Sequence, residues 1–165
     1  MFNVGDKIVY PMHGAGIIES IEEREILGTK QKYYVMKMPV GDIKVMIPTN
    51  NAQDIGIREV IDKDETEQVL GTLEGNYTYM NANWNKRYRE NMDKIKSGNI
   101  FEVADVVRNL AYRDKEKGLS TGERKMLNNA RQILVSELVL ANELEQSEVE
   151  KMINAKLNNI TEYLA

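Results

Sequence analysis

The chain has no cysteine, three prolines, one histidine and one tryptophan among its 165 residues. The absence of cysteine excludes disulfides, thiol catalysis and cysteine-ligated zinc. The single histidine, His13, lies in the turn-like segment MHGAG, with no second histidine for a metal site and no serine near it in sequence. We therefore expect no enzymatic activity, no metal and no cofactor.

Long apolar runs are also missing. No run approaches the roughly 20 apolar residues that a membrane-spanning helix needs. The N-terminus, MFNVGDKIVYP, lacks the cationic and apolar regions of a signal peptide. We therefore expect a cytoplasmic location and no membrane contact.

Prolines are confined to the first 48 residues, where the pattern is that of short strands. The segments DKIVYP, AGIIESIEEREI, QKYYVMKM and IKVMI are rich in valine, isoleucine and tyrosine, and partly alternate between apolar and polar residues. Glycine-containing turns separate them. Four or five short strands within about fifty residues predict a small β-barrel of the SH3 or Tudor kind.

From about residue 58 onward there is no proline, and the apolar period becomes helical. An acidic cap at 64–67 predicts one helix, and Trp84 to Lys96 carries an apolar stripe that stops at Ser97-Gly98. Asn99 caps a further helix, and STGE at 120–123 is a capping box that opens a long one. The fold class is thus α+β: a small β-barrel followed by a compact all-helical domain.

Net charge changes sign along the chain, although the total is only −4. Residues 1–53 are neutral, residues 54–83 carry −5, residues 84–131 carry +5 and the remainder carries −4. The one basic block begins at the only tryptophan. A basic block in an acidic chain favours a surface that meets nucleic acid or an acidic protein.

Trp84 opens this block in the segment NANWNKRYRENMDKIKSG. Its spacing to Tyr88, Met92 and Ile95 is that of a core stripe, so the spacing alone predicts a buried ring. The cations Lys86, Arg87 and Arg89 follow within about one and a half turns and could bind phosphate or form a solvated face.

Three classes of function remain open on the residues themselves. Catalysis lacks a recognisable constellation, since neighbouring acids such as Glu22 and Glu23 have no apolar setting that would raise a carboxyl pKa. Nucleic-acid binding fits the basic block. A protein-interaction module fits the strand segment around Arg24 to Ile26, which could present an edge for strand addition or simply be an edge blunted by its charges.

Four segments, in order, resemble the CarD/CdnL family of bacterial transcription regulators. They are VGDKIVYPMHGAG, GDIKVMIP, NWNKRYRENMDKIKSG and AYRDKEKGLSTGERKMLNNARQIL. The resemblance covers nearly the entire chain, to about residue 145. It implies an N-terminal Tudor-like domain, shared with transcription-repair coupling factor, that binds the RNA polymerase β subunit. It also implies a helical domain that contacts promoter DNA at the upstream edge of the bubble with little sequence specificity.

The resemblance assigns residues to each contact. The family's tryptophan wedge, which enters the minor groove and holds the open complex, falls on Trp84. The basic DNA contacts fall on Lys86, Arg89 and Arg124, with Arg87 adjacent. The polymerase contacts fall on four residues of the β module: Arg24, Ile26, Lys44 and Met46. Met46 stands where the family pattern has a basic residue, and Lys44 on the same strand could compensate for that charge.

The sequence therefore predicts two domains, 1–56 for RNA polymerase and 57–165 for DNA. The leading hypothesis is a monomeric, non-enzymatic regulator that stabilises promoter open complexes. The alternative is a helical adaptor whose basic face binds an acidic protein, with Trp84 buried and no DNA contact.

Overall fold

The structure is a computed structural model that describes residues 1–77 and 80–164. Within these residues it contains five strands: β1 (Lys7–Tyr10), β2 (Gly14–Ile26), β3 (Thr29–Lys37), β4 (Lys44–Pro48) and β5 (Arg58–Glu59). All pairings are antiparallel, and the strand order is β4-β3-β2-β1-β5. The four predicted strand segments coincide with β1 to β4 to within about two residues.

One face of the sheet covers a small apolar core. Ile8, Ile18, Tyr34, Met36 and Ile47 are its largest members, and each is at most 2% exposed. Because side chains alternate along a strand, the intervening residues lie on the opposite face. The register shift between Ile18 and Ser20 is a β-bulge, which bends β2.

One short α-helix, α1 (Ala52–Ile55), lies between β4 and β5, and the other described α-helices follow the sheet. The latter are α2 (Lys63–Leu73), α3 (Trp84–Lys96), α4 (Ile100–Glu116), α5 (Thr121–Asn142) and α6 (Gln146–Leu164). Together with the sheet they confirm the predicted α+β class, a small β domain followed by a helical one.

Local capping chemistry explains where these helices begin. The side chains of Asn83, Asn99 and Ser120 accept backbone N–H groups at the starts of α3, α4 and α5. The predicted caps at Asn99 and Ser120 are confirmed. The acidic cap predicted at 64–67 begins too late in the chain. The cap of α2 is Asp62, and Glu65 completes the capping box.

The helical core is centred on α4 and α5. Val106, Val107, Leu110, Leu134 and Leu138 are fully buried between these helices and their neighbours α2, α3 and α6. Burial of such side chains is the main term that stabilises the bundle.

The sheet extends past the predicted domain boundary at residue 56. In β5, Arg58 and Glu59 pair with Val9 and Ile8 of β1. The division into 1–56 and 57–165 stays a prediction, and sheet pairing itself continues to Glu59. In the part of the chain that the structure describes, no helix is long and apolar enough to cross a membrane.

Candidate nucleic-acid and polymerase contacts

Trp84 is the first residue of α3 and is 41% exposed. The stripe that it begins runs inward from there, since Tyr88 and Met92 are half-buried and Ile95 is buried. The burial predicted from spacing is therefore wrong for Trp84 and correct for Ile95. The neighbouring helix α5 begins at Thr121, and Gly122 in its first turn lies beside the indole. Because α5 does not extend further in that direction, it covers only part of the ring.

The exposed indole is nevertheless held in one position. Its Nε1 donates a hydrogen bond to Ser120 Oγ at 3.0 Å. Its ring stacks on Tyr88 with centroids 5.0 Å apart and planes inclined by 19°. A Cβ built on Gly122 would lie 3.5 Å from Cζ2 of the indole, so the first turn of α5 touches the ring edge. Trp84 is thus partly exposed to solvent, and its contacts with Ser120, Tyr88 and Gly122 fix the position of the ring.

Lys86 and Arg89 lie on the exposed side of α3. No ion pair to either side chain is found within the described residues. Asn83 caps the helix through the backbone N–H of Lys86 at 3.1 Å. Trp84 and these two cations are therefore all exposed in the first half of α3.

Arg87 lies on the opposite side of α3 and is only 3% exposed. Its guanidinium binds Glu123 through Nε at 2.8 Å and Nη2 at 3.2 Å, and its Nη1 donates to the carbonyls of Asn81 and Ala82. The prediction that Arg87 adds to a DNA-binding surface is therefore wrong. With about 100° of rotation per residue, a side chain three positions after Trp84 faces α5, whereas Lys86 and Arg89 turn outward.

Glu123 is the buried partner in this pair, with 2% exposure. Desolvation by burial raises its pKa, but hydrogen bonding to Arg87, the charges of Arg87 and Arg113, and the Ser120 hydroxyl outweigh this, so its pKa is lowered from 4.5. Glu123 also supplies the backbone N–H that Ser120 caps. Sequence reasoning identified it only as a capping-box residue, because its pairing with α3 is non-local.

Arg124 is exposed but already has a partner. Its two terminal nitrogens bind the two oxygens of Asp114 at 2.9 and 3.2 Å. Hydrogen bonding to this carboxylate, and its charge, raise the pKa of Arg124. Arg124 lies in the first turn of α5, the same turn that touches Trp84. A phosphate at this position would compete with Asp114.

Ser120→Gly is expected to release the indole with little loss of stability. Glycine is nearly as good a helix cap as serine, so the free energy of unfolding should fall by only a few tenths of a kcal/mol. The indole, however, loses its hydrogen-bond acceptor. As the only tryptophan, Trp84 reports this directly. Time-resolved fluorescence anisotropy should show faster indole motion, whereas Ser120→Thr, which keeps the hydroxyl, should resemble the wild type. Unchanged motion in Ser120→Gly would show that the contacts with Tyr88 and Gly122 hold the ring without the hydrogen bond.

The four residues predicted to contact polymerase share one face of the sheet. Their partners on β3 are Gln31 for Arg24, Thr29 for Ile26, Val35 for Met46 and Lys37 for Lys44. These β3 residues are separated by even numbers of positions, so they point to the same side of the strand. This face is opposite to the one that covers the core.

The apolar and the charged residues on this face differ in their surroundings. Ile26 and Met46 are 54% and 40% exposed. Arg24 pairs with Glu22 at 2.9 Å, and Lys44 pairs with Glu19 at 3.0 Å. Hydrogen bonding to Glu19, and its charge, raise the pKa of Lys44. The face thus combines exposed apolar side chains with partnered cations.

His13 has no ligand set around it. Its ring packs against that of Tyr10, with centroids 4.3 Å apart. Among the described residues, no group of three or more histidine, aspartate or glutamate side chains is arranged to hold a metal ion.

Comparison with known proteins identifies the family. Residues 2–61 match the family described as CarD-like/TRCF RID domain, and residues 68–154 match the CarD C-terminal domain. A Bacillus subtilis (strain 168) protein named "Putative transcription factor YdeB" is 44% identical over 149 residues, which are 90% of this chain and 97% of that protein. The solution NMR structure of the 72-residue N-terminal domain of Myxococcus xanthus CarD is 30% identical, covers 36% of this chain and 79% of that domain, and has a TM-score of 0.32. The two family matches and the near full-length relative show that this chain belongs to the CarD-like family of transcription regulators.

Proposed function

We propose that the protein binds the RNA polymerase β subunit through its sheet and stabilises promoter open complexes through its helical domain. In this proposal a single copy acts on each polymerase. Trp84 enters the minor groove at the upstream edge of the bubble, and Lys86, Arg89 and Arg124 contact the flanking phosphates. Residues 1–56 and 57–165 are the corresponding polymerase-binding and DNA-binding parts.

The observation that supports the DNA contact most directly is the exposed position of Trp84 at the start of α3. Trp84 is 41% exposed at the start of a helix and is followed by Lys86 and Arg89, which have no ion pair within the described residues, and this arrangement suits a minor-groove wedge. Unstacking a base step costs a few kcal/mol, so such a wedge is most effective where the duplex is already opening. An adaptor with a buried Trp84 does not fit this exposure.

The polymerase contact is supported by the sheet and by the family. The CarD-like/TRCF RID family that matches residues 2–61 is associated with RNA polymerase interaction. Arg24, Ile26, Lys44 and Met46 share the side of the sheet opposite to the small apolar core, and on that side two exposed apolar side chains accompany two cations. Interfaces commonly place apolar contacts at the centre and charges at the rim.

The test combines capture and lifetime measurements on the intact chain. The protein should retain the isolated β subunit on a column, and it should slow the decay of open complexes after addition of a competitor. Retention without slower decay would leave a polymerase-binding protein with no role in the open complex. Slower decay without β-subunit retention would move the polymerase contact to another subunit.

Arg24→Glu should weaken retention of the β subunit by at least about tenfold, because charge reversal places repulsion in a fitted interface and like-charge contacts cost several kcal/mol. Lys32→Glu is the matched control. Lys32 is exposed on the same hairpin, but it pairs with Glu23 and therefore lies on the other face of the sheet. Equal weakening by both variants would indicate a general charge effect and would remove Arg24 from the interface.

Asp114→Asn should strengthen binding to duplex DNA about two- to fivefold, since exposed ion pairs are typically worth less than about 1 kcal/mol. The amide frees Arg124 from its carboxylate partner, so more of its charge is available to phosphate. Glu116→Gln removes the same charge from an exposed position near the end of α4. Fluorescence titration of labelled duplex at fixed salt compares the two. If both variants gain equally, net charge rather than release of Arg124 is responsible.

A further inference from the structure

One helix connects the two proposed contacts. The first turn of α5 touches the indole of Trp84 through Ser120 and Gly122. Its second half lies against β2 and β1 through Ile133, Ser136 and Leu140, and against β5 through Glu137. These positions are spaced i, i+3, i+4 and i+7, which is one face of a helix. With 22 residues, α5 is about 33 Å long.

The sheet and α5 approach closely at Gly14 and Ala15. The backbone N–H of Ala15 donates to Ser136 Oγ at 2.9 Å, and that hydroxyl donates to the carbonyl of Ile133 at 2.7 Å. A Cβ on Gly14 would lie 2.7 Å from Ser136 Oγ and 3.5 Å from the Ile133 Cα. Gly14 also has φ +112°, which favours glycine. Gly14, predicted to lie in a turn, instead begins β2, and together with Ala15 it forms a docking site for α5.

Arg58 of β5 forms the second part of the contact. Its Nη1 and Nη2 bind the two oxygens of Glu137 at 2.7 and 2.8 Å. Glu137 is fully buried and also accepts the backbone N–H of Ile61 at 3.0 Å. The Nε of Arg58 donates to the carbonyl of Gly98, just beyond the end of α3, at 2.9 Å. One guanidinium thus bonds the sheet to α5 and to the loop that ends α3.

The geometry of these bonds restricts rotation of one domain on the other. A bidentate arginine–carboxylate pair requires a single relative orientation of its two planes, in contrast to apolar packing, which tolerates sliding. The Glu137 side chain is fully buried and that of Arg58 is 31% exposed, so loss of the guanidinium would leave a buried carboxylate without its partner. Arg58 is thus bonded to α5 through Glu137, and to the loop that ends α3 through a single hydrogen bond to the Gly98 carbonyl.

We propose that Arg58 and Glu137, together with the Gly14–Ser136 contact, form a rigid joint that fixes the orientation of the helical domain on the sheet. Arg58 and Glu137 are positioning residues: they set where Trp84 lies relative to the polymerase-binding face. The rigidity of the joint is a property of the free protein. Its consequence for open complexes rests on the function proposed above.

The test uses the absence of native cysteine, which allows spin labels to be placed at will. Labels on cysteines introduced at Lys30 and Lys125, both exposed, report the distance between the sheet and the helical domain, and labels at Lys96 and Lys125 report a distance within the helical domain. The variant is the double substitution Arg58→Met and Glu137→Met, which replaces the ion pair by side chains of similar length and leaves no buried charge unpaired. Glu143→Gln is the control, because it removes only the exposed ion pair to Lys7.

We expect the double variant to broaden the interdomain distance distribution at least about twofold and to leave the intradomain distribution unchanged. Retention of the β subunit and affinity for duplex DNA should stay within about twofold of the wild type, while the open-complex lifetime should fall at least about threefold. Glu143→Gln should match the wild type in every measurement. If the double variant does not fold, Gly14→Ala provides the second test, since it opens the same contact without altering the ion pair.

An interdomain distribution that remains narrow in the variants would overturn the joint. Broadening with an unchanged lifetime would overturn its positioning role. If the wild type itself does not prolong open complexes, the proposed function fails, and the distance measurements on the free protein still decide whether the joint is rigid.

Discussion

Trp84→Ala is expected to shorten the lifetime of promoter open complexes about tenfold while the protein stays folded. Unstacking a base step costs a few kcal/mol, and a wedge that occupies the gap offsets part of that cost in the open complex. A loss of about 1.4 kcal/mol of this stabilisation corresponds to a tenfold change. Trp84 is 41% exposed, and its ring makes one hydrogen bond, one stacking contact and an edge contact with Gly122, so the free energy of unfolding should fall by only about 1 kcal/mol. Retention of the β subunit should not change.

The measurements are a denaturation curve and an open-complex decay assay on the same preparation. Tyr77→Ala is the matched control, since Tyr77 is 38% exposed and stacks on Tyr112 with centroids 4.5 Å apart. It should affect stability similarly and leave the lifetime unchanged. A stability loss of about 3 to 5 kcal/mol, typical of a buried aromatic, together with a normal lifetime would give Trp84 a purely structural role.

Arg87→Ala is expected to have the largest effect on stability, a loss of about 3 to 5 kcal/mol, because removing one partner of a buried ion pair leaves the other charge uncompensated. Arg87 and Glu123 are 3% and 2% exposed. Urea denaturation followed by circular dichroism measures the loss. Arg89→Ala, on the exposed side of the same helix, should change stability by less than about 0.5 kcal/mol and should weaken DNA binding instead.

The pH dependence gives Arg87→Ala a second readout. The pKa of Glu123 is lowered in the folded protein, so its contribution to stability is present above its ordinary value of 4.5 and is lost as pH falls through the folded pKa. In Arg87→Ala the Glu123 carboxylate is buried without its main partner, so its pKa is higher than in the wild type. Protonation then removes the unfavourable buried charge at a higher pH than in the wild type. The stability gap between the two proteins should therefore narrow on acidification. A gap that is independent of pH would show that lost packing, not charge, causes the destabilisation.

Local chemistry explains why much of the fold could be predicted. Alternation and glycine turns identified β1 to β4, and the side-chain caps at Asn99 and Ser120 identified the starts of α4 and α5. Each of these signals involves residues within a few positions of one another. β5 was missed as a strand because it has only two residues, and it exists through pairing with β1.

The candidate DNA surface could be predicted only in part, since the sequence does not reveal which side of α3 is covered. In the sequence, Lys86, Arg87 and Arg89 are three neighbouring cations that nothing local distinguishes as buried or exposed. The position of α5 separates them, because it buries Arg87 against Glu123 and leaves the other two exposed. Similarly, Arg124 appears as a free cation until the fold brings Asp114 beside it.

The sequence by itself determined the α+β class, the starts of α4 and α5, the basic block and the family, because composition, period and motif order are properties of the chain alone. Tertiary structure decided which of those residues are accessible. Trp84 is exposed because α5 begins level with it, and Arg87 is buried because α5 provides Glu123. It also decided how the sheet and the bundle meet, through Gly14, Arg58 and Glu137. Contacts between residues tens of positions apart depend on how the elements pack, and no local pattern encodes that packing.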